Sequence, residues 1–279
     1  MTADLSPTQA RQLAHDIATA HTDAAIRAAG AAEMTARATR MAADHGQPIT
    51  SIPPLPARTR WGWRKAVRFA VTRRMYTPEY MTLYARYVAQ RVRHPHVSMH
   101  GMIFFGRRVE LTARTGHGNL ELGPWCWIGN DNKLLVHEGN LRLGPKVVLG
   151  RDNVINTYLD VEVGTNALLG DWIYVCDFDH AYDRLDIPIK SQGLIKTPVR
   201  IGADVWIGEK ASVLRGADIG SGSVVASQAL VKGHIPPFSI VVGTPARVIG
   251  SRLPHGMTVE EGLALQRAGH PLPGDPLEG

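Results

Sequence analysis

Aliphatic residues return at every sixth position in the second half of the chain, at Ile201, Ile207, Val213, Ile219, Val225 and Val231, with glycine directly behind at 202, 208 and 220. An α-helix repeats near 3.6 residues and a strand near 2, so a period of six is neither. It marks a repeat architecture. The same register runs upstream through Leu122 and Ile128, through Leu143, Leu149 and Ile155, and through Val163, Leu169 and Val175. Three hexads make one turn, so each triplet predicts a triangular coil whose aliphatic side chains stack on those of the coils above and below. The glycines behind them are expected to bend the chain at the corners. Leu143 and Val163 stand 20 residues apart, not 18, which predicts a two-residue bulge at one corner. Val163 and Ile201 stand 38 apart, which inserts a loop over 177–200. A loop of that length within a compact repeat usually serves function.

Upstream of residue 97 the period of six is absent. Residues 7–45 are rich in alanine, and Ser6 before Pro7 suits an N-cap followed by a first-turn proline. Prolines at 53, 54 and 56 interrupt that stretch. Over 60–94 two helices are expected to meet near Thr77 and Pro78, with Thr77 capping the second. The chain therefore divides into an α-helical region over 1–96 with a proline-rich break near 51–56, a β-helix domain over 97–250, and a short helix with a flexible tail over 251–279. The expected fold class is mainly β, a parallel β-helix of hexapeptide repeats behind a helical N-terminal region.

Composition changes this picture in three places. No run of about 18 apolar residues is present, and no basic segment followed by an apolar one opens the chain, so a cytoplasmic protein is expected. The two cysteines, Cys126 and Cys176, sit among apolar residues and read as buried thiols, not as a disulfide framework. The net charge of +6 is unevenly placed, because residues 58–93 carry ten Arg and Lys against the single acid Glu79. With Trp61, Trp63 and Phe69 interleaved, that segment suits a cap on the open end of the repeat. It also suits contact with an anionic membrane or an acidic substrate. No nucleic-acid-binding motif accompanies it.

The stretch DFDHAYDRLDIPIKSQGLIKTPVRIGADVWIG over 177–208, closed by IPPFSIVVGTPARVIG over 235–250, carries the most specific signal. It resembles the left-handed parallel β-helix of the hexapeptide-repeat acyltransferases, the superfamily of galactoside, maltose, colanic-acid, serine and xenobiotic O-acetyltransferases. The resemblance spans about residues 118–250. It implies that His180, where the long loop leaves the coil, takes the proton of an acceptor hydroxyl. Imidazole titrates near neutrality and suits that work. Asp177 and Asp179 beside it would orient the ring or bind acceptor hydroxyls. Trp206 would border the cleft, and coenzyme A would lie between subunits of a homotrimer along the backbone at Gly208 and Ala226. Lys232 and Arg247 would face its phosphates. Glu209 and Lys210 stand where relatives carry small residues.

No Gly-x-Ser-x-Gly nucleophile motif is present, so direct transfer is expected. The resemblance implies an O-acyltransferase that moves an acyl group, most simply acetyl, from acyl-CoA as co-substrate to a hydroxyl of a carbohydrate or glycolipid. No tightly bound cofactor and no metal are expected. The γ-class carbonic anhydrases share the prism but pair histidines as His-x4-His, and His117, His137 and His180 make no such pair. Sugar nucleotidyltransferases begin with a glycine-rich nucleotide-binding domain, whereas residues 1–96 hold only Gly30, Gly46 and Gly62. A non-catalytic scaffold or glycan-binding protein is the alternative from another class.

Overall fold

The computed structural model describes residue 71 and residues 75–268. The helices expected over 7–45, the break near 51–56, most of the basic stretch before residue 75 and the end of the tail lie outside the described residues. Over 98–231 the chain winds through six coils, each contributing one short strand to each of three parallel sheets. We call these faces A, B and C in the order the chain meets them. Coil 1 spans 98–113, coil 2 118–136, coil 3 139–157, coil 4 160–176, coil 5 199–213 and coil 6 218–231, and a last partial turn starts at 234. The expected parallel β-helix is therefore what forms.

Each aliphatic position of the sequence register points inward and is buried. The pairing confirms the stacking: Leu143 lies opposite Val163, Val163 opposite Ile201 and Ile201 opposite Ile219 on face A. The structure adds Leu134 to coil 2 and a whole coil 1, in which Met99, Phe105 and Leu111 register with Leu122, Ile128 and Leu134. On the outer side of face A the register lines up Glu121, Arg142, Glu162, Arg200, Asp218 and His234 in alternating sign. Arg142 and Arg200 both reach the Glu162 carboxylate, at 3.4 and 3.3 Å.

The corners form differently from expectation. The glycines behind the aliphatic residues are not the left-handed ones. That conformation falls two positions later, at Trp125, Lys146, Asn166 and Asp204 on the A–B edge and at Arg108, Asp131, Asp152, Trp172, Lys210 and Gln228 on the B–C edge. Left-handed backbone disfavours a side chain by about 1–2 kcal/mol. The cost is offset by a ladder of corner hydrogen bonds in which the left-handed amide donates to the previous coil, as from Lys146 to Pro124 (2.9 Å) and from Lys210 to Asp171 (2.9 Å). The glycine serves clearance instead: a Cβ at Gly129 would lie 2.0 Å from the carbonyl oxygen of Gly150 one coil on.

The third edge, C–A, is wider than the others. The path from Leu134 to Leu143 and from Ile155 to Val163 is longer than a hexad there, which locates the expected bulge, and the long insertion leaves from this same edge after coil 4. Asp177 holds the bulge in shape. Its buried carboxylate accepts from the amides of Tyr158 (2.8 Å), Leu159 (2.7 Å) and Asp160 (2.7 Å), and its carbonyl accepts from Thr197 at the loop's return (2.8 Å).

In a parallel ladder alternate residues pair with the coil on either side, so the groups of coil 1 that face away from coil 2, the carbonyls of Met99, Phe105 and Val109 among them, have no coil to pair with. Helix α1 (Pro78–Arg93) supplies the donors: Gln90 Nε2 to Val109 O (3.0 Å), Arg91 Nη1 to Met99 O (3.2 Å) and Arg86 Nη1 to Phe105 O (3.5 Å). Pro78 opens this helix as expected, but the expected cap does not form, since Thr77 makes no side-chain capping bond. At the other end, Arg247–Ser251 folds back antiparallel on Ser239–Val242 and helix α2 (Val259–Ala268) follows. No helix among the described residues is long and apolar enough to cross a membrane.

Two stability outcomes follow. Gly129→Ala forces backbone apart and is expected to cost about 1–3 kcal/mol or more in denaturant unfolding. Asp177→Ala leaves three part-buried amides without their acceptor and is expected to cost about 1–3 kcal/mol, with Asp177→Asn recovering part because it keeps one acceptor oxygen. A thermal midpoint unchanged in Asp177→Ala would remove its structural assignment.

Candidate active site

Among the described residues, the long loop is a built element. Phe178–His180 pairs antiparallel with Leu194–Lys196, placing His180 opposite Leu194, and a single 3-10 turn, Ile189–Ser191, lies between them. Gln192 ties the far end together, donating to the carbonyls of Arg184 (2.7 Å) and Ile187 (3.1 Å). The root of the hairpin rests on an aromatic ladder that climbs the C–A edge. His137 stacks on Tyr158 with ring centroids 4.6 Å apart, and Tyr158 meets Phe178 edge-on at 4.6 Å. Lys196 lies over the Tyr158 ring at 5.4 Å and pairs with Glu138.

His180 ends the first hairpin strand. Its ring is exposed and makes no hydrogen bond among the described residues, so both nitrogens are open to a substrate. The two carboxylates expected to serve it are otherwise engaged. Asp177 is buried under the corner and its oxygens are spent on backbone amides. Asp179 pairs with Arg215, which also donates to Thr197 Oγ1 at 3.4 Å. Both therefore fix the hairpin that carries His180, and neither orients its imidazole by a hydrogen bond. Arg215 was not singled out from the sequence. The only trace was a cation at the C–A corner of coil 5, and nothing in the chain's order linked it to Asp179, 36 residues earlier.

The residues expected to hold the donor fall on another edge. Trp206 stands on the outer side of face B, 52% exposed, between Leu168 and Val224. Gly208 and Ala226 follow at the B–C corners of successive coils. Arg247, exposed, lies opposite Val242 beside that edge, its guanidinium donating to Ala246 O at 3.0 Å. Lys232 is exposed but stands with His180 on the C–A edge, where coil 6 ends. The chain thus gathers Trp206, Gly208, Ala226 and Arg247 along one edge and His180, Asp177, Asp179 and Lys232 along another, with face C between. A side of six residues spans up to roughly 20 Å. The expected site is not assembled within a single chain.

Backbone pairing at the donor edge is also narrower than expected. The Gly208 amide donates to Val225 O (2.7 Å) and the Ala226 amide to Val241 O (2.9 Å), so both N–H groups are committed to the coil ladder. Their carbonyls are the groups with acceptor capacity left for a ligand. The Glu209–Lys210 departure has a local explanation. Lys210 takes the left-handed corner and its ammonium lies 5.2 Å from the Trp172 ring centroid, on a ring that Arg151 also approaches at 5.6 Å. Both cysteines are buried, as expected, and burial pushes the Cys126 thiol up to about 12. No cluster of three His, Cys, Asp or Glu that could hold a metal ion occurs among the described residues.

No family profile matches the chain. Individual relatives do. A probable acetyltransferase of Mycobacterium tuberculosis, Rv3034c, is 43% identical over 226 residues, covering 74% of this chain and 75% of the relative. A putative acetyltransferase of Schizosaccharomyces pombe is 38% identical over 33% of this chain and 45% of its own length. A putative lipopolysaccharide biosynthesis O-acetyl transferase of Escherichia coli, WbbJ, is 32% identical over 32% of this chain and 49% of its own length. Among solved structures, AntD, an N-acyltransferase from Bacillus cereus in complex with dTDP and coenzyme A, shares the fold with a TM-score of 0.50 at 17% identity, over 64% of this chain and 96% of that one. With the stacked hexad coils and a relative 43% identical along three quarters of its length, the chain belongs to the hexapeptide-repeat acetyltransferases.

Proposed function

We propose that the chain transfers an acyl group, most simply acetyl, from acyl-CoA to a hydroxyl of a carbohydrate or glycolipid, with His180 as general base. The observation that carries this is the exposed, unpartnered imidazole held on a braced hairpin in a chain of this family. The acceptor O–H gives its proton to His180, and the oxygen attacks the thioester carbonyl carbon. The tetrahedral intermediate collapses, the C–S bond breaks and the C–O bond remains. The imidazolium then returns the proton to the departing thiolate. A sugar acceptor is supported by the lipopolysaccharide O-acetyl transferase among the relatives. A coenzyme A donor fits a cytoplasmic protein, and the basic stretch over 58–93 fits peripheral contact with an anionic membrane.

The two separated edges favour a homotrimer in which the donor edge of one copy faces the His180 edge of the next. Tyr182, Leu185 and Ile189 give the hairpin tip an exposed apolar surface that such a neighbour would cover. Trp206 and Arg247 of one chain would then flank the donor while His180 of the other works on the acceptor, and Lys232 would meet its phosphates from that second chain.

His180→Ala is expected to lower kcat about 10²- to 10⁴-fold while the Kd for acetyl-CoA, read by calorimetry, stays within about twofold. Wild-type turnover in that variant would sink the base assignment. A shared site makes a further demand on oligomers reassembled from His180→Ala and Arg247→Ala chains, both inactive alone. About one site in four then pairs an intact base with an intact donor edge, so roughly a quarter of wild-type activity returns. No recovery in a mixed trimer would mean that each chain builds its site by itself.

A further inference from the structure

Away from the His180 hairpin, a cavity of about 340 Å³ opens between α1 and the B–C corner of coil 1. Arg86, Gln90 and Arg93 line it from the helix, and Gly106, Arg107 and Arg108 from the coil. Four guanidiniums thus meet around one concavity. Arg108 is neutralised by Asp131, in a fork of 2.5 and 2.6 Å. Arg86 spends one nitrogen on the Phe105 carbonyl at 3.5 Å. Among the described residues no carboxylate pairs with Arg86, Arg93 or Arg107.

Such an arrangement is unfavourable unless something answers it. Like charges gathered at a surface repel, and the Arg–Glu alternation of face A spares its arginines that repulsion. Capping the orphan carbonyls of coil 1 accounts for Gln90, for Arg91 and for part of Arg86. It accounts for neither Arg93 nor Arg107. Guanidinium is the side chain best shaped for tetrahedral oxyanions, since it offers paired donors in a plane and keeps its charge at any physiological pH. A cavity of this volume also exceeds a bare phosphate and lies in the range that takes a small ligand.

We infer that this pocket binds a phosphate ester together with the polar group it is attached to. The same chemistry is offered by a soluble sugar phosphate and by the headgroup of an anionic phospholipid. The inference does not depend on the acyl-transfer reading, because the pocket sits at coil 1, whereas Gly208 and Ala226 lie further along the same B–C edge at coils 5 and 6 and His180 leaves coil 4 on the C–A edge.

The test uses the full chain, the Arg93→Ala/Arg107→Ala double variant and, as a charge-matched control, Arg151→Ala/Lys133→Ala outside the pocket. Glucose 1-phosphate is titrated by calorimetry in one arm. In the other, co-sedimentation is measured with vesicles of phosphatidylglycerol in phosphatidylcholine against phosphatidylcholine alone. Saturable binding in either arm, weakened about tenfold or more by the pocket variant and much less by the control, is the expected result. The arm that responds identifies the source of the phosphate. Absence of binding in both arms, or equal loss in the two double variants, overturns the inference. The four exposed side chains removed are surface groups, and matching thermal midpoints certify that a lost signal is a lost site.

Discussion

Backbone amides of one coil donate to carbonyls of the next, and at a strand spacing of about 4.8 Å this ladder leaves no room for a stray atom between coils. Most local features of the protein answer to that limit. Glycine stands behind the aliphatic residue because a Cβ there would enter the neighbouring coil, as the 2.0 Å approach at Gly129 makes plain. The bend is handed on two residues, where a left-handed amide is held by its own inter-coil bond. The first coil has no coil before it, so part of its backbone lacks a ladder partner. Carbonyls of Met99, Phe105 and Val109 are exposed to that end, and α1 meets them with Arg91, Arg86 and Gln90. Part of the basic character of this region is therefore structural.

The three edges of the prism are chemically unequal for a related reason. Two are tight six-residue corners whose groups are consumed by the ladder, so the Gly208 and Ala226 amides have nothing left to donate. The C–A edge is loose. Its extra residues free three amides at 158–160, and Asp177 gathers them at the point where the insertion leaves. A carboxylate that shapes the edge, a second one locked to Arg215 and a ladder of stacked rings together make a rigid base for a hairpin. The imidazole of His180 on that hairpin is exposed and makes no hydrogen bond among the described residues. The proposed site thus combines a braced support with that imidazole, an arrangement suited to proton transfer in a fixed geometry.

The described surface carries two arrangements of charge. On face A acids and bases alternate coil by coil and answer one another. At the N-terminal cavity arginines converge with Asp131 as their one carboxylate partner among the described residues. Since the same residue types occur in both places, the difference is one of register: face A is a regular ladder, whereas the cavity is where a helix crosses a corner.

Period, coil boundaries, the corner bulge and the place of the insertion were legible in the chain, because in a solenoid every inward position repeats the same burial and must repeat the same chemistry. Leu134 and the coil of Met99, Phe105 and Leu111 were harder to read, since the wide C–A edge breaks the count between coils. That His180 stands where the long loop leaves the coil was legible too. What its neighbours do was not. Asp177 and Asp179 are equivalent on paper, two acids flanking one phenylalanine, yet one is buried against backbone and the other faces Arg215. Alternation along a strand would put two acids two residues apart on one side, but Asp177 stands at the corner before the strand Phe178–His180, and only the packed corner supplies what each acid meets. Sequence determined the fold through local periodicity, and the resemblance of one motif to the acyltransferases pointed to the candidate base. Tertiary structure decided which carboxylates were spent, which amides were committed and which edge each donor residue joined, because those depend on partners brought together from distant coils.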